Sequence, residues 1–305
     1  MENKYLYRLW RDICRDKWLY IFLFPTTIIV IIFCYIPLAG IVMAFKEYNG
    51  LTSVIESEWA GLKYFKMIFR DPLIPRAFMN TLKLGILSLL FCFPAPIFLA
   101  LCFNELKQGR YKKFTQTISY LPYFISTVII VGMIKEFLSI DGIVNTFLRS
   151  LDIKAINFMS DASKFRTTYI TSEIWQGVGW GSILYLAAVA SIPDEMYEAA
   201  TIDGANRLQK IWYITIPSML PTISIQFILA VGGLLGASFE KIILMYNPAT
   251  YETADILATY VYRIGLQNGN YSYSVAIGLL NSVLSFLLVF MANKATKKLS
   301  GYSFW

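Results

Sequence analysis

The sequence predicts an all-α integral membrane protein of six transmembrane helices, and three observations lead there. Only 15% of its 305 residues are charged while 56% are hydrophobic, against about 25% charged residues in soluble domains. Six stretches, 18–45, 84–104, 114–134, 174–193, 211–239 and 264–293, hold no Asp, Glu, Lys or Arg. About 20 apolar residues at 1.5 Å rise cross a hydrocarbon core of about 30 Å, so each stretch suffices for one helix. Lys and Arg, which are retained on the cytoplasmic side, then alternate across the connections.

Taken in order, residues 1–17 form a cytoplasmic segment carrying Lys4, Arg8, Arg11, Arg15 and Lys17. The first span, 18–45, is too long for a signal-peptide core and lacks a small-x-small cleavage pattern, so it reads as a retained anchor. The second and third spans, about 78–104 and 114–137, flank a connection with Lys107, Arg110, Lys112 and Lys113. The fourth and fifth, about 168–192 and 218–245, flank a loop over 194–217 with Arg207 and Lys210. The sixth, 272–293, is followed by a tail, 294–305, with Lys294, Lys297 and Lys298. Fourteen of the 27 Lys and Arg therefore fall on one side, which predicts a multi-pass plasma-membrane protein with both termini cytoplasmic. Two larger outer connections, about 46–76 and 139–166, have room for short interfacial helices, with turns at Asn49-Gly50 and Asp141-Gly142.

The net charge of +7 needs no nucleic-acid partner, because basic residues beside spans face anionic membrane lipid. Cys14, Cys34, Cys92 and Cys102 have no C-x-x-C spacing and imply no disulfide framework. Trp10, Trp18, Tyr20 and Trp305 read as interfacial anchors. The absence of histidine removes Ser-His-Asp and Cys-His catalysis and histidine-containing metal sites. No G-x-x-x-x-G-K-[ST] phosphate loop occurs, so no Walker-type ATP cradle exists in this chain.

The cytoplasmic loop carries the most specific pattern. Pro193-Asp194-Glu195 is a helix start in which Asp194 is placed to cap and Glu195 and Glu198 suit the positive end of the helix dipole. Met196, Ala199 and Ala200 recur at i, i+3 and i+4, giving a smooth face that another protein surface can approach closely. Gly204 is suited to the left-handed conformation that ends a helix, and a second short helix then runs toward Pro217 and Pro221. An amphipathic helix lying on the inner leaflet would need a basic polar face, whereas this one is acidic and alanine-rich.

Glu198-Ala199-Ala200-Thr201-Ile202-Asp203-Gly204-Ala205, followed by Ile214-Thr215-Ile216-Pro217, resembles the EAA loop of permease subunits in binding-protein-dependent ABC importers. The segments 174–180 and 185–188 are similar to the maltose-type carbohydrate permeases. Segments 35–40, 116–126, 246–255 and 259–266 resemble the polysaccharide-permease branch associated with binding lipoproteins. Two departures are visible: Ile216 stands where the family has leucine, and Tyr123 where histidine is more usual.

The resemblance implies a type I importer permease fold. It also implies a second permease, an ABC ATPase dimer, an extracytoplasmic solute-binding lipoprotein and a carbohydrate cargo. This chain would bind no cofactor, with ATP and Mg held by the partner ATPase. Glu198 inherits pairing with a basic ATPase residue, Gly204 the turn, Ala199 and Ala200 the close contact, and Asp203, Ile214 and Pro217 complete the motif.

Candidate cargo contacts are the polar and aromatic residues inside spans: Trp175, Gln176 and Trp180, Gln226, and Asn281. Each amide has an equally good use as an interhelical hydrogen bond. Lys135-Glu136 and Glu240-Lys241 read as span ends or paired charges. A transporter driven by an ion gradient, which would carry inverted repeats and midplane carboxylates, is the alternative; a non-transporting scaffold or sensor is a third reading.

Overall fold

Proline and glycine decide where helices begin, bend and end in the computed structural model, which describes residues 11, 15–236 and 238–304. Lys4, Arg8, Trp10, Cys14 and Trp305 lie outside the described residues. The chain is mostly helical, with no strand among the described residues beyond an isolated bridge between Lys46 and Trp59. By internal contacts it divides into one unit of residues 1–67 and 264–279 and another of 68–263 and 280–305.

In the first unit, helix α1 (Lys17–Phe45) is apolar and exposed on nearly every face. Its surface suits lipid or another helix rather than water. Phe45 stacks on Trp59, and the Ser272 hydroxyl donates to the Lys46 carbonyl at 2.7 Å while accepting from the Tyr48 amide at 3.0 Å. Short α2 (Lys63–Ile68) follows.

The second unit holds α3 (Ile74–Glu105), α4 (Arg110–Phe124), α5 (Thr127–Phe137), α6 (Ile143–Ser150), α7 (Ala162–Ala190), α8 (Asp194–Ile202), α9 (Arg207–Gly232), α10 (Phe239–Met245), α11 (Tyr251–Ala254) and α12 (Leu257–Tyr262). The last helix, α13 (Tyr271–Ser300), contributes residues to both units. Helix α7 is central and packs on α3, α4, α9 and α11. Phe165, Tyr169 and Ile170 join Leu84, Val131, Ile242 and Met245 in a core at its first half. Tyr185 and Val189 join Ala100, Ile192 and Met219 in a second core at its end.

The loops beside the first core are tied by buried polar groups. The Asn80 amide donates to the carbonyls of Glu252 and Asp255 at 2.9 and 3.1 Å, and its oxygen accepts from Arg166 at 2.9 Å. Asp255 pairs with Arg263 at 2.6 Å, and the guanidinium lies over the rings of Tyr251 and Tyr260. The hydrogen bonds that Arg263 donates to Asp255 hold the guanidinium above its ordinary pKa, with burial opposing.

Several expected boundaries differ. The span placed at 114–137 is two helices bent by 99°: Pro122 removes an amide from the last turn of α4, and Ile125 and Ser126, just after that turn, are extended. The span placed at 218–245 ends at Gly232, because a glycine-rich stretch intervenes before α10. Among the described residues four helices are long and apolar enough to cross a membrane, α1, α3, α9 and α13, and the bent pair makes a fifth if taken as one span. Helix α7 has 29 residues but Lys164, Arg166, Glu173 and Gln176 lower its apolarity.

Candidate functional site

Segment 194–217 folds as a helix held at both ends. Asp194 occupies the first helical position rather than the cap, and Pro193 precedes it with an extended ψ of 133°. At the other end Gly204 takes φ +78°, so the Ala205 amide reaches back to the Ala200 carbonyl at 2.8 Å and the Gly204 amide to Thr201 at 3.1 Å. This closes the last turn of α8, and a side chain at 204 would be strained there. Asn206 then starts α9 with a capping box, its side chain accepting from the Gln209 amide while Gln209 accepts from the Asn206 amide.

Two side-chain bonds fasten α8 to α9. Tyr197 and Thr215 share a hydroxyl hydrogen bond of 2.9 Å, and Lys210 Nζ donates to Thr201 Oγ1 at 2.7 Å. Tyr197 and Ile214 also pack on the core cluster of Ala100, Tyr185 and Met219. The opposite side of α8 is bare: Glu198, Ala199 and Met196 are exposed, and Ile202 is 87% exposed. Ala200, Asp203, Gly204 and Ile214 line a hollow of about 270 Å³ beside this face, and Pro217 is exposed about three turns into α9.

The candidate cargo residues separate into two places. At Gly179 an added Cβ would lie 1.8 Å from the Ser119 carbonyl oxygen, so α7 and the end of α4 touch backbone to backbone. That approach lets Tyr123 stack on Trp180 with ring centroids 4.7 Å apart and planes 4° from parallel, while Phe124 meets Trp180 edge-on at 5.6 Å. The three rings form a half-exposed shelf beside the bend between α4 and α5. Gln176, one turn before Trp180, is half-buried on the same side of α7.

Trp175 points elsewhere, lining a cavity with Ile130, Ile134 and Thr171. Gln226 is half-buried on α9 and shares a helix face with Ala230, which lines a hollow of about 250 Å³ with Ser88 and Cys92. Asn281 donates weakly to the Leu235 carbonyl at 3.4 Å, and its own oxygen is buried without a partner. The structure therefore unites Trp180 with Tyr123 and leaves Trp175, Gln226 and Asn281 apart.

Sequence reasoning missed Glu173. Lys241 on α10, with 1% of its side chain exposed, lies 2.6 Å from Glu173 Oε1 on α7, although no hydrogen bond of normal geometry reaches its Nζ. One turn earlier the Ser238 amide donates to the Tyr169 hydroxyl at 3.3 Å, so α7 and α10 are joined at two points. Of the two readings given for Glu240-Lys241, span end or paired charge, Lys241 is a paired charge, and its partner is Glu173. A lone acidic residue immediately before the charge-free run 174–193 was the available signal.

Comparisons with known proteins agree with this architecture. Residues 92–300 match the family described as the binding-protein-dependent transport system inner membrane component. Protein LplB of Bacillus subtilis (strain 168) is 44% identical over 285 residues, covering 93% of this chain and 90% of that protein. The polygalacturonan/rhamnogalacturonan transport system permease protein YteP of the same organism is 39% identical over 292 residues, covering 95% and 91%. A crystal structure of a bacterial alginate ABC transporter in complex with alginate pentasaccharide-bound periplasmic protein contains a chain that matches with a TM-score of 0.89. Identity there is 43%, with 97% of this chain and 99% of that chain covered. With more than half of its length matched by the family and near relatives over nine-tenths of it, the chain belongs to the binding-protein-dependent transport system inner membrane components.

Proposed function

We propose that this chain imports oligosaccharides or polysaccharide fragments as one permease of a pair, driven by an ATPase dimer that docks on α8. The observation that carries this reading is the build of segment 194–217. Its α8 is fixed to α9 by Tyr197–Thr215 and Thr201–Lys210, is seated through Tyr197 on the core that also holds α7, and is bare on the other side. A push on that bare face moves the two membrane helices with it, whereas an untethered loop would absorb the displacement. Glu198 is the charged group offered to a basic ATPase residue, and Ala199 allows close approach.

In this reading α7 is the sixth span. Its 29 residues extend about 43 Å, more than the hydrocarbon core requires. Its lower apolarity then has a purpose, since it carries the Tyr123–Trp180 shelf and Gln176 toward the cargo. Aromatic faces suit the C–H faces of sugar rings, and the carbohydrate names of the relatives support that class of cargo. Both termini and segment 194–217 face the cytoplasm, and a solute-binding lipoprotein delivers cargo on the other side.

The test is uptake of a labelled oligosaccharide, presented with its binding protein, into vesicles containing the full importer. Glu198→Ala and Gly204→Pro are expected to abolish uptake while membrane insertion and pairing of the permeases persist. Full uptake by both variants would remove the lever from the mechanism.

A further inference from the structure

One face of α7 changes character along its length. Glu173, Gln176, Trp180, Leu184 and Ala187 recur at i, i+3, i+7, i+11 and i+14, within about 80° of one another around the helix. Trp180, Leu184 and Ala187 are exposed and Gln176 is half-buried. Tyr169, one turn before Glu173, is instead buried in a core with Ile242 and Met245 of α10. Helix α10 therefore covers the beginning of this stripe, and Glu173 stands where it opens, about 10 Å along the helix from Trp180.

The carboxylate there is held from behind. Buried Lys241 Nζ lies 2.6 Å from Oε1, and no other group among the described residues bonds the carboxylate. Oε2 is left without a partner, yet, unlike Lys241 Nζ and the Asn281 oxygen, it keeps contact with open space. The pair is one-sided: an ammonium sealed in the protein behind a carboxylate with an unused acceptor. A charged group inside a membrane protein turns toward a water-filled path or a polar partner rather than toward lipid. The cavity at Trp175 does not include Glu173, so the open side of the carboxylate is the stripe with Gln176 and Trp180.

We propose that Glu173 is a further cargo contact, accepting a hydrogen bond from a saccharide hydroxyl while a neighbouring unit of the same chain lies on the Trp180 ring. A carboxylate has acceptors only, so it selects a donor on the cargo, a hydroxyl rather than the carboxylate of an acidic sugar. Lys241 is a positioning residue: it holds the carboxylate at the mouth of the stripe and cancels its charge, so the cargo meets an acceptor without a net field. The assignment rests on the importer reading given under Proposed function.

Two double variants separate this role from the tie between α7 and α10. Glu173→Leu with Lys241→Met removes the acceptor, and Glu173→Gln with Lys241→Met keeps an uncharged one; both remove the ion pair whole, so neither strands a charge. The complete importer in sealed vesicles, with its binding protein, receives a mixture of short neutral and uronate-containing oligosaccharides, and mass spectrometry counts what enters per ATP hydrolysed. The Glu173→Leu pair is expected to lose about tenfold in uptake per ATP, and the Glu173→Gln pair to stay within about threefold of the parent. Equal uptake by the two double variants, whether kept or lost, would overturn the proposal. Loss of the second permease from the purified Glu173→Leu complex would overturn it as well, by making Glu173 a contact between permeases. With the pair unaltered, a diazirine derivative of the imported oligosaccharide is expected to label Glu173; labelling of Trp180 without Glu173 would also overturn it. Absence of ATP-dependent uptake by the parent would instead remove the importer reading, and this inference with it.

Discussion

The ion pair between Lys241 and Glu173 makes an asymmetric prediction. At 2.6 Å, two unit charges attract by about 6 kcal/mol at an effective dielectric of about 20, and desolvation offsets much of this. Removing one partner differs in cost according to which charge is left behind. Glu173→Gln strands an ammonium whose side chain is 1% exposed, which costs about 3–5 kcal/mol. Lys241→Met strands a carboxylate that keeps 29% exposure and can be hydrated, so about 1–3 kcal/mol is expected. The double variant removes both charges and is expected within about 2 kcal/mol of the parent. The assay is denaturation of the solubilised permease by increasing SDS, followed by loss of helical signal and analysed as a double-mutant cycle. Equal costs for the two single changes, or a double variant whose loss is their sum, would refute the pairing as a stabilising contact between α7 and α10.

Two further substitutions probe the cargo shelf. Gly179→Val places a side chain against the Ser119 backbone, 1.8 Å from its carbonyl oxygen at Cβ alone. It is expected to cost about 1–3 kcal/mol by overpacking and to separate Tyr123 from Trp180, measured as lost stability together with lost uptake. Trp180→Ala is expected to reduce oligosaccharide uptake at least tenfold while Trp175→Ala, on the other face, changes it less than threefold. Equal effects of the two tryptophans on uptake would remove the shelf from the cargo path.

How much was readable in advance depended on whether the controlling interaction was local. The turn at Gly204 and the start of α8 after Pro193 are set by neighbours within a few residues, and both lie where pattern reasoning puts them. Boundaries were less legible. A charge-free run through Pro122 reads as one span, yet a missing amide and two extended residues turn it by 99°. Hydropathy counts apolar side chains and is blind to that backbone event. The same holds at 233–236, where apolarity continues and the helix does not.

The site was legible as an inventory and illegible as an arrangement. Trp175 and Trp180 are five residues apart, which on a helix turns one about 140° from the other, so they were never going to share a surface. The partner of Trp180 was harder to find: Tyr123 reaches it only because Gly179 allows α7 to touch the backbone of Ser119, a contact between segments 60 residues apart in sequence. Charge pairing shows the converse limit. Glu240 and Lys241 are adjacent, and adjacent helical residues do not face each other, so reading them as span ends or paired charges left the partner of Lys241 open. Burial of Lys241 required a counter-charge from another helix, and Glu173 at the head of an otherwise uncharged run was the residue free to supply it. In a membrane permease a solitary carboxylate at the edge of an apolar run therefore carries more information about tertiary pairing than an adjacent ion pair does, because burying it demands a partner.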